Sequence, residues 1–231
     1  MARQIGMLMF PRMTQLDLTG PYEVLARLPN SKVDLVARTL DPVTSDRGMQ
    51  IVPTVTYETC PPLDVIMVPG GPGQQDLMED EAALGFLRRQ AAQAEYVTSV
   101  CTGSLVLGAA GLLKGRRATS HWNALDHLEL LGAIPVSERV VMDGNVITGA
   151  GVTTGIEFAL RLAAILEGEQ VARELQLQIE YDPAPPFDCG SPKTAPRALI
   201  DKVAARMAQL NEQRGDVARR VGVRLGVRQD G

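Results

Sequence analysis

The chain has 231 residues, a length that suits one α/β domain although two small ones would fit, and 45% are hydrophobic, enough for a substantial core. Its formal net charge of −4 gives no general attraction to nucleic acid or to an anionic membrane surface. The first residues lack the apolar run and cleavage site of a signal peptide, and no apolar stretch approaches the length of about 18 that a membrane span needs. We therefore expect a cytoplasmic protein with no membrane or nucleic-acid partner, in a compartment where a reactive thiol stays reduced.

Cysteine and histidine are scarce. The three cysteines, Cys60, Cys101 and Cys189, are too widely spaced for a disulfide framework or a zinc cluster. With only two histidines, His121 and His127, a histidine-rich metal site is not expected either. The composition therefore predicts no metal centre.

Strand-like and helix-like segments alternate along the first 180 residues. The predicted strands are 5–10, 33–37, 51–57, 63–68, 96–100 and two short strands within 140–147. The predicted helices are 19–28, 80–94, one that follows position 101 and closes at 113, one from 121 to about 132, 155–163 and 169–179. Pro53 places segment 51–57 at a sheet edge. This alternation predicts an α/β fold with a parallel, doubly wound sheet and helices on both faces.

The pattern changes after Tyr181. Segment 182–192 is rich in proline, which excludes a helix or an interior strand and predicts an extended surface segment. From Pro196 onward apolar residues recur at helical spacing: Leu199, Val203, Met207 and Leu210. We expect a helix there that packs on the same domain or on a dimer partner, followed by a loosely held tail rich in Arg and Gly. The predicted division is a catalytic domain over 1–195 and a helical extension over 196–231.

The most informative feature is Cys101, which lies where a predicted strand breaks abruptly into a predicted helix. Small residues two positions before and after it, Ser99 and Gly103, allow a sharp turn of the nucleophile-elbow type. A thiol at this turn points at the first N–H groups of the helix, whose positive field favours the thiolate. The alternative is a buried structural cysteine, which is the interpretation that Cys60 and Cys189 keep because neither lies in such a context.

Two further features follow strands whose carboxyl ends should meet those of the elbow strand. The loop 69–73 is Pro-Gly-Gly-Pro-Gly, and the N–H groups of Gly70 and Gly71, together with that of Thr102, would stabilise developing negative charge on a bound substrate. Alone, such a loop is only a turn. Asp17 follows the first strand, and its simplest role is to cap a helix. If Asp17 instead meets the cysteine, the pair titrates jointly, and the acid serves first as general acid and then as general base.

A cysteine–histidine dyad is not favoured. The residue after Cys101 is Thr102 rather than histidine. His121 lies on a later segment, where we expect a structural role. These positions argue against a cysteine protease or an amidotransferase-type triad.

These pieces together resemble the ThiJ/PfpI superfamily and, within it, the isocyanide hydratase branch. The resemblance runs from Gln4 to about Ala195, and its motifs are Leu16–Pro21, Val68–Gly71, Thr98–Leu105, Arg117–Trp122 and residues 185–192. It implies a flavodoxin-like, mostly parallel sheet, a homodimer, and neither metal nor organic cofactor. It also implies hydration of a small-molecule isocyanide to an N-substituted formamide through a thioimidate on Cys101, with Asp17 as acid/base and Thr102 hydrogen-bonding the substrate.

One departure and three alternatives accompany this resemblance. Ala150 stands where the branch often has glycine, which bears on rate and substrate fit more than on reaction type. The first alternative is an enzyme that acts on 2-oxoaldehydes, as related folds do with the same cysteine and an acid. The second is a thiol-based redox sensor or chaperone-like protein without turnover. The sensory domains of AraC-type regulators have similar elbows, but they continue into two helix-turn-helix units, for which the roughly fifty residues after Tyr181 are too few.

Overall fold

The computed structural model describes residues 2–227. Its strands are β1 (Arg3–Leu8), β2 (Ser31–Ala37), β3 (Val43–Thr44), β4 (Gln50–Ile51), β5 (Val55–Thr56), β6 (Val65–Val68), β7 (Tyr96–Val100), β8 (Arg117–Ala118), β9 (Ile134–Pro135), β10 (Val140–Asp143) and β11 (Val146–Gly149). Its α-helices are α1 (Gln15–Leu25), α2 (Gln74–Leu77), α3 (Glu81–Ala91), α4 (Gly103–Ala109), α5 (Thr154–Glu167), α6 (Glu169–Gln178) and α7 (Arg197–Arg224). A 3-10 helix spans Trp122–Leu131.

A seven-stranded sheet forms the centre, in the order β10-β11-β7-β6-β1-β2-β5. All neighbouring pairs are parallel except β10 and β11. Strand β6 is apolar and buried at every position, as a strand covered by helices on both faces requires. The helices form two groups: α5 packs on α1 and α6, whereas α4 packs on α2, α3, α7 and the 3-10 helix. The doubly wound α/β fold predicted from the sequence is confirmed.

The strand register brings four loops together at one edge of the sheet. Val68 at the end of β6 pairs with Ser99 near the end of β7, and Gly149 at the end of β11 pairs with Val100. The chain order reverses between β1 and β6, which lie side by side at the centre. In open α/β sheets this reversal opens a crevice at the carboxyl ends of the strands, where ligands bind. The loops after β1, β6, β7 and β11 therefore surround one site.

Two of the differences between the predicted elements and the structure involve proline. Helix α1 begins at Gln15, four residues before the predicted start, so Pro21 lies inside it rather than in its first turn. Pro21 lies where α1 packs on α5. A Cβ added at Gly155 would be 2.8 Å from the proline ring, which shows how closely the two helices approach. Segment 51–57 forms two short strands separated around Pro53, because proline cannot donate a ladder hydrogen bond. Its second part, β5, is at the sheet edge as predicted.

Helix α7 is longer than predicted. It has 28 residues and continues well beyond Leu210, into the part expected to be a loose tail. Its second half is held because Arg214, Val217 and Val221 are buried against α2, α4 and the 3-10 helix. The exposed Glu79 also binds two arginines of the last turns, Arg220 and Arg224. The last four residues of the predicted tail lie outside the described residues. In the part of the chain described, no helix is both long and apolar enough to cross a membrane.

Candidate active site

Cys101 occupies a sharp turn between β7 and α4. Its φ of +56° is in the left-handed region, which residues other than glycine rarely adopt and which is often found at functional turns. The turn is fixed by its backbone, since the Cys101 N–H donates to the carbonyl of Gly149 at 2.9 Å and its own carbonyl accepts from the hydroxyls of Ser104 and Ser120, each at 3.2 Å. A side chain at Gly103 would collide with the carbonyl oxygen of Val68. The strand–turn–helix arrangement predicted from the small flanking residues is present.

Asp17 lies in the first turn of α1 and has no solvent exposure. It does not cap this helix, because the capping position belongs to Thr14. Instead its Oδ2 accepts a hydrogen bond from the N–H of Gly70 at 2.9 Å, across the gap between the β1 and β6 loops. The carboxyl also interacts directly with the Cys101 thiol, although Oδ1 has no hydrogen bond of regular geometry to the described residues. The acid and the elbow cysteine, 84 positions apart in sequence, are thus neighbours in the fold.

Burial dominates the protonation of this pair. Loss of solvent raises the pKa of Asp17 from its ordinary 3.8 to about 7, against the opposing hydrogen bonds from Cys101 and Gly70. Burial and then the charge of Asp17 raise the pKa of the Cys101 thiol well above its usual value. The N–H of Thr102 acts in the opposite direction, as the predicted field of the helix N-terminus does, but it is outweighed. Above about pH 7 the pair therefore holds one proton, on the thiol or shared with the carboxyl, and below that pH it holds two. The expectation that the helix field favours a thiolate in the resting protein is corrected.

The glycines of the loop after β6 position the acid and Thr102. The N–H of Gly70 donates to Asp17, and that of Gly71 donates to Oγ1 of Thr102 at 3.1 Å. Both amides are therefore engaged within the protein, which differs from the expectation that they face a substrate. A Cβ at Gly70 would lie 2.5 Å from the Thr102 nitrogen and 2.8 Å from Asp17 Oδ2, and Gly71 has a φ of +129°. Only glycine allows this approach of three loops.

Thr102 is buried between the glycine loop and the nucleophile. Its hydroxyl oxygen accepts from the N–H of Gly71, while its own N–H lowers the pKa of the Cys101 thiol. The side chain makes no cap for α4. This leaves a backbone donor beside the reacting thiol.

The two histidines serve the structure. Nδ1 of His121 accepts a hydrogen bond from the N–H of Asn123 at 3.3 Å and so caps the 3-10 helix. Burial lowers the pKa of His121 to about 4, which leaves the ring neutral at physiological pH. Nε2 of His127 lies 3.0 Å from both Oδ1 and the carbonyl oxygen of Asn211 on α7. The structural role expected for His121 matches this geometry.

Sequence reasoning missed three contributors. Ser120 lies in the Arg117–Trp122 motif, which marked this segment. Its hydrogen bond to the carbonyl of Cys101 could not be predicted from the local sequence. Gly149 lies beside Ala150, and its carbonyl fixes the backbone of Cys101. Arg214, in the second half of α7, lowers the pKa of the Cys101 thiol through its charge, and no motif marked it as a functional residue. Within residues 2–227, no group of three or more His, Cys, Asp or Glu side chains could hold a metal ion.

Known proteins resemble this chain over most of its length. The model of the DJ-1/PfpI family matches residues 3–165. An isonitrile hydratase from Pseudomonas putida is 60% identical over 228 residues, which cover 99% of this chain and 100% of that protein. The crystal structure of a ThiJ/PfpI family protein from Pseudomonas syringae superposes with a TM-score of 0.92 at 48% identity, covering 94% of this chain and 91% of the other. A glutathione-independent glyoxalase from Caenorhabditis elegans, DJR-1.2, is 32% identical over 137 residues, 58% of this chain and 73% of that protein. The chain belongs to the DJ-1/PfpI family.

Proposed function

We propose that the protein is an isocyanide (isonitrile) hydratase, a lyase that converts R–N≡C and water into the N-substituted formamide R–NH–CHO. The observation that carries the proposal is the buried pair of Asp17 and Cys101 at the elbow, where one proton is shared between a soft nucleophile and an acid. The full-length similarity to an isonitrile hydratase supports the substrate class.

The first step is addition of the thiol across the isocyanide carbon. Asp17 as carboxylate takes the thiol proton while the Cys101 sulfur attacks the terminal carbon, and the carboxylic acid then delivers this proton to the same carbon. The product is a thioimidate, R–N=CH–S–Cys, and Asp17 is a carboxylate again. No redox change occurs, since the S–H bond is replaced by an S–C and a C–H bond.

The second step is hydrolysis of the thioimidate. Asp17 takes a proton from a water whose oxygen adds to the thioimidate carbon, and the carboxylic acid then delivers this proton to the imine nitrogen. Collapse of the tetrahedral R–NH–CH(OH)–S–Cys breaks the C–S bond, releases the formamide and returns the hydroxyl proton to the Cys101–Asp17 pair. The N–H of Thr102, which lowers the pKa of the Cys101 thiol, stabilises negative charge on the sulfur when the C–S bond breaks.

The raised pKa of Asp17 suits this double role. An acid/base catalyst is most efficient when its pKa lies near the working pH, and burial brings Asp17 to about 7. Gly70 and Gly71 contribute by fixing Asp17 and Thr102 in place. We propose for them a positioning role rather than direct contact with the substrate.

Turnover of an aryl isocyanide, followed by loss of its absorbance, tests the proposal. We expect formamide production by the wild type, loss of at least about a thousandfold in C101A and D17N because each removes one of two coupled groups, and full activity in C189S. Cys189 is the matched control because it is an exposed cysteine outside the site. Formamide production by C101A at the wild-type rate would refute the assignment.

A second candidate activity is hydration of 2-oxoaldehydes, which the similarity to the Caenorhabditis elegans glyoxalase supports. An assay with methylglyoxal separates the two: we expect the aryl isocyanide to be turned over with the higher kcat/KM. A redox sensor would need a thiol ionised at rest, whereas burial raises the pKa of Cys101. This favours turnover over sensing.

We further propose that the protein is a cytoplasmic homodimer in which residues 1–195 form the catalytic domain and the helical extension from 196 contacts the partner. The first half of α7 is mostly exposed, and Leu199 there is 38% exposed. Light scattering on the purified protein measures the mass directly. A monomer at micromolar concentration would contradict the dimer.

A further inference from the structure

Arg214 is a buried cation without an ion-pair partner in the described part of the chain. Its residue is 3% exposed, and no carboxylate of residues 2–227 lies within ion-pair distance of it. Its Nη1 is buried and makes no hydrogen bond to the described residues. Burying a charge in this way is costly unless another charge compensates for it. The position of Arg214 therefore needs an electrostatic explanation.

The guanidinium is held from one side by a neutral group. Its Nε donates to Oε1 of Gln74 at 3.1 Å, and Gln74 is itself fully buried at the start of α2. The other end of that amide lies against the sulfur of Met78. Gln74 thus fixes where the arginine lies but leaves its charge in place.

The charge acts on the elbow. Two titratable groups interact with Arg214, the Cys101 thiol from the β7–α4 turn and His121 from the start of the 3-10 helix. Burial keeps His121 neutral, so this ring adds no positive charge. The other charges on the pair are negative, since Asp17 acts on Cys101 and Asp46 acts on Asp17. Arg214 is thus the cation that opposes them at the thiol.

We infer that Arg214 is a positioning residue whose buried guanidinium, fixed by Gln74, supplies the counter-charge for the anion of the Cys101–Asp17 pair. With one proton shared by a thiol and a carboxyl, the pair carries one negative charge, which the guanidinium balances inside a site of low dielectric. This deepens the proposed function and rests on it only for the role of Cys101 as nucleophile. It also gives α7 a part in the chemistry, since its second half delivers the arginine to the site.

Alkylation of Cys101 by iodoacetamide as a function of pH tests this inference without any isocyanide. The tryptic peptide 90–114 contains Cys101 and no other cysteine, so its mass reports the alkylated fraction. In R214M, which keeps much of the side-chain volume, we expect the profile to move up by about one pH unit, so that alkylation near pH 7 slows about tenfold while the plateau at high pH is unchanged. R214K, which keeps the charge, should recover most of the wild-type profile. R206M is the control, because Arg206 is exposed on the same helix.

The outcomes separate cleanly. A folded R214M with the wild-type profile overturns the inference. Should R214M fail to fold in a thermal melt, Q74L decides. It leaves the guanidinium without its acceptor, and we expect a smaller shift in the same direction. An unchanged profile in Q74L overturns the inference. If the wild type turns over no isocyanide but R214M shifts the profile, the proposed function fails and the role of Arg214 stands.

Discussion

Replacing Gly70 by alanine perturbs the acid and the nucleophile loop with a single methyl group. The added Cβ would lie 2.5 Å from the nitrogen and 2.7 Å from Oγ1 of Thr102, and 2.8 Å from Oδ2 of Asp17. All three distances are shorter than carbon makes with polar atoms without strain. The loop, Asp17 or Thr102 must move, and none has free space because all are buried.

The magnitude follows from the contacts that are lost. Overpacking a buried site costs about 1–3 kcal/mol of folding free energy. For a domain of this size that corresponds to a fall in Tm of about 2–12 °C. Displacing Asp17 by about 1 Å from the sulfur should lower kcat/KM for an isocyanide about a hundredfold. The hydrogen bond from Gly70 lowers the pKa of Asp17, so its loss should raise that pKa and move the pH profile of activity towards higher pH.

Steady-state kinetics and thermal unfolding of G70A measure these effects. The matched control is G151A, which adds the same methyl to a loop at the same edge of the sheet, where a Cβ would meet nothing within 4 Å. We expect G151A to keep nearly wild-type kcat/KM and Tm. Wild-type kinetics in G70A would refute the positioning role of this glycine.

Three further changes probe the same site. In D17N we expect stability to fall less between pH 4 and 7 than in the wild type. The folded wild type keeps the Asp17 proton up to about pH 7, whereas the unfolded chain releases it near 3.8, so raising the pH costs the wild type up to roughly 4 kcal/mol of folding free energy. An equal pH dependence of the urea-unfolding free energy in the two proteins would contradict the raised pKa. T102V leaves the buried N–H of Gly71 without its acceptor and should cost about 1–3 kcal/mol in a denaturant titration, whereas T102S should cost less; identical values for the two would count against this hydrogen bond. H121N keeps a capping side chain for the N–H of Asn123 and should leave the pH profile of kcat unchanged; loss of a limb from that profile would point to histidine catalysis.

The elbow could be predicted because its signals are local. A β-branched strand, a cysteine and a glycine two residues later specify a turn whose geometry leaves few alternatives, and φ of Cys101 is +56° as such a turn requires. Asp17 could be placed near it by topology, since the loops after parallel strands meet at one sheet edge. Local pattern plus strand order thus placed Asp17 at the edge of the sheet that carries Cys101, whereas its pairing with the cysteine came from the family resemblance rather than from the residues alone.

Other parts of the site depend on contacts that sequence does not encode locally. The direction of the Gly70 and Gly71 amides is set by Asp17 and Thr102 across the crevice, so their engagement within the protein could not be read from a Pro-Gly-Gly motif. The balance between burial and the helix field at Cys101 depends on how deeply the turn is covered. Arg214 lies 113 positions after the nucleophile, on a helix whose second half is ordered by packing rather than by a strong apolar pattern.

Covalent capture of the isocyanide carbon by Cys101 is the step from which the other roles follow, and rapid-quench mass spectrometry observes it directly. Mixing the protein with excess aryl isocyanide and quenching in acid should give a mass increase equal to one isocyanide, located on peptide 90–114, that forms before the formamide and decays as the substrate is exhausted. The C101A variant should give no adduct. Formamide released at the full rate with no adduct on Cys101, or with the adduct on Cys60 or Cys189, would contradict the mechanism.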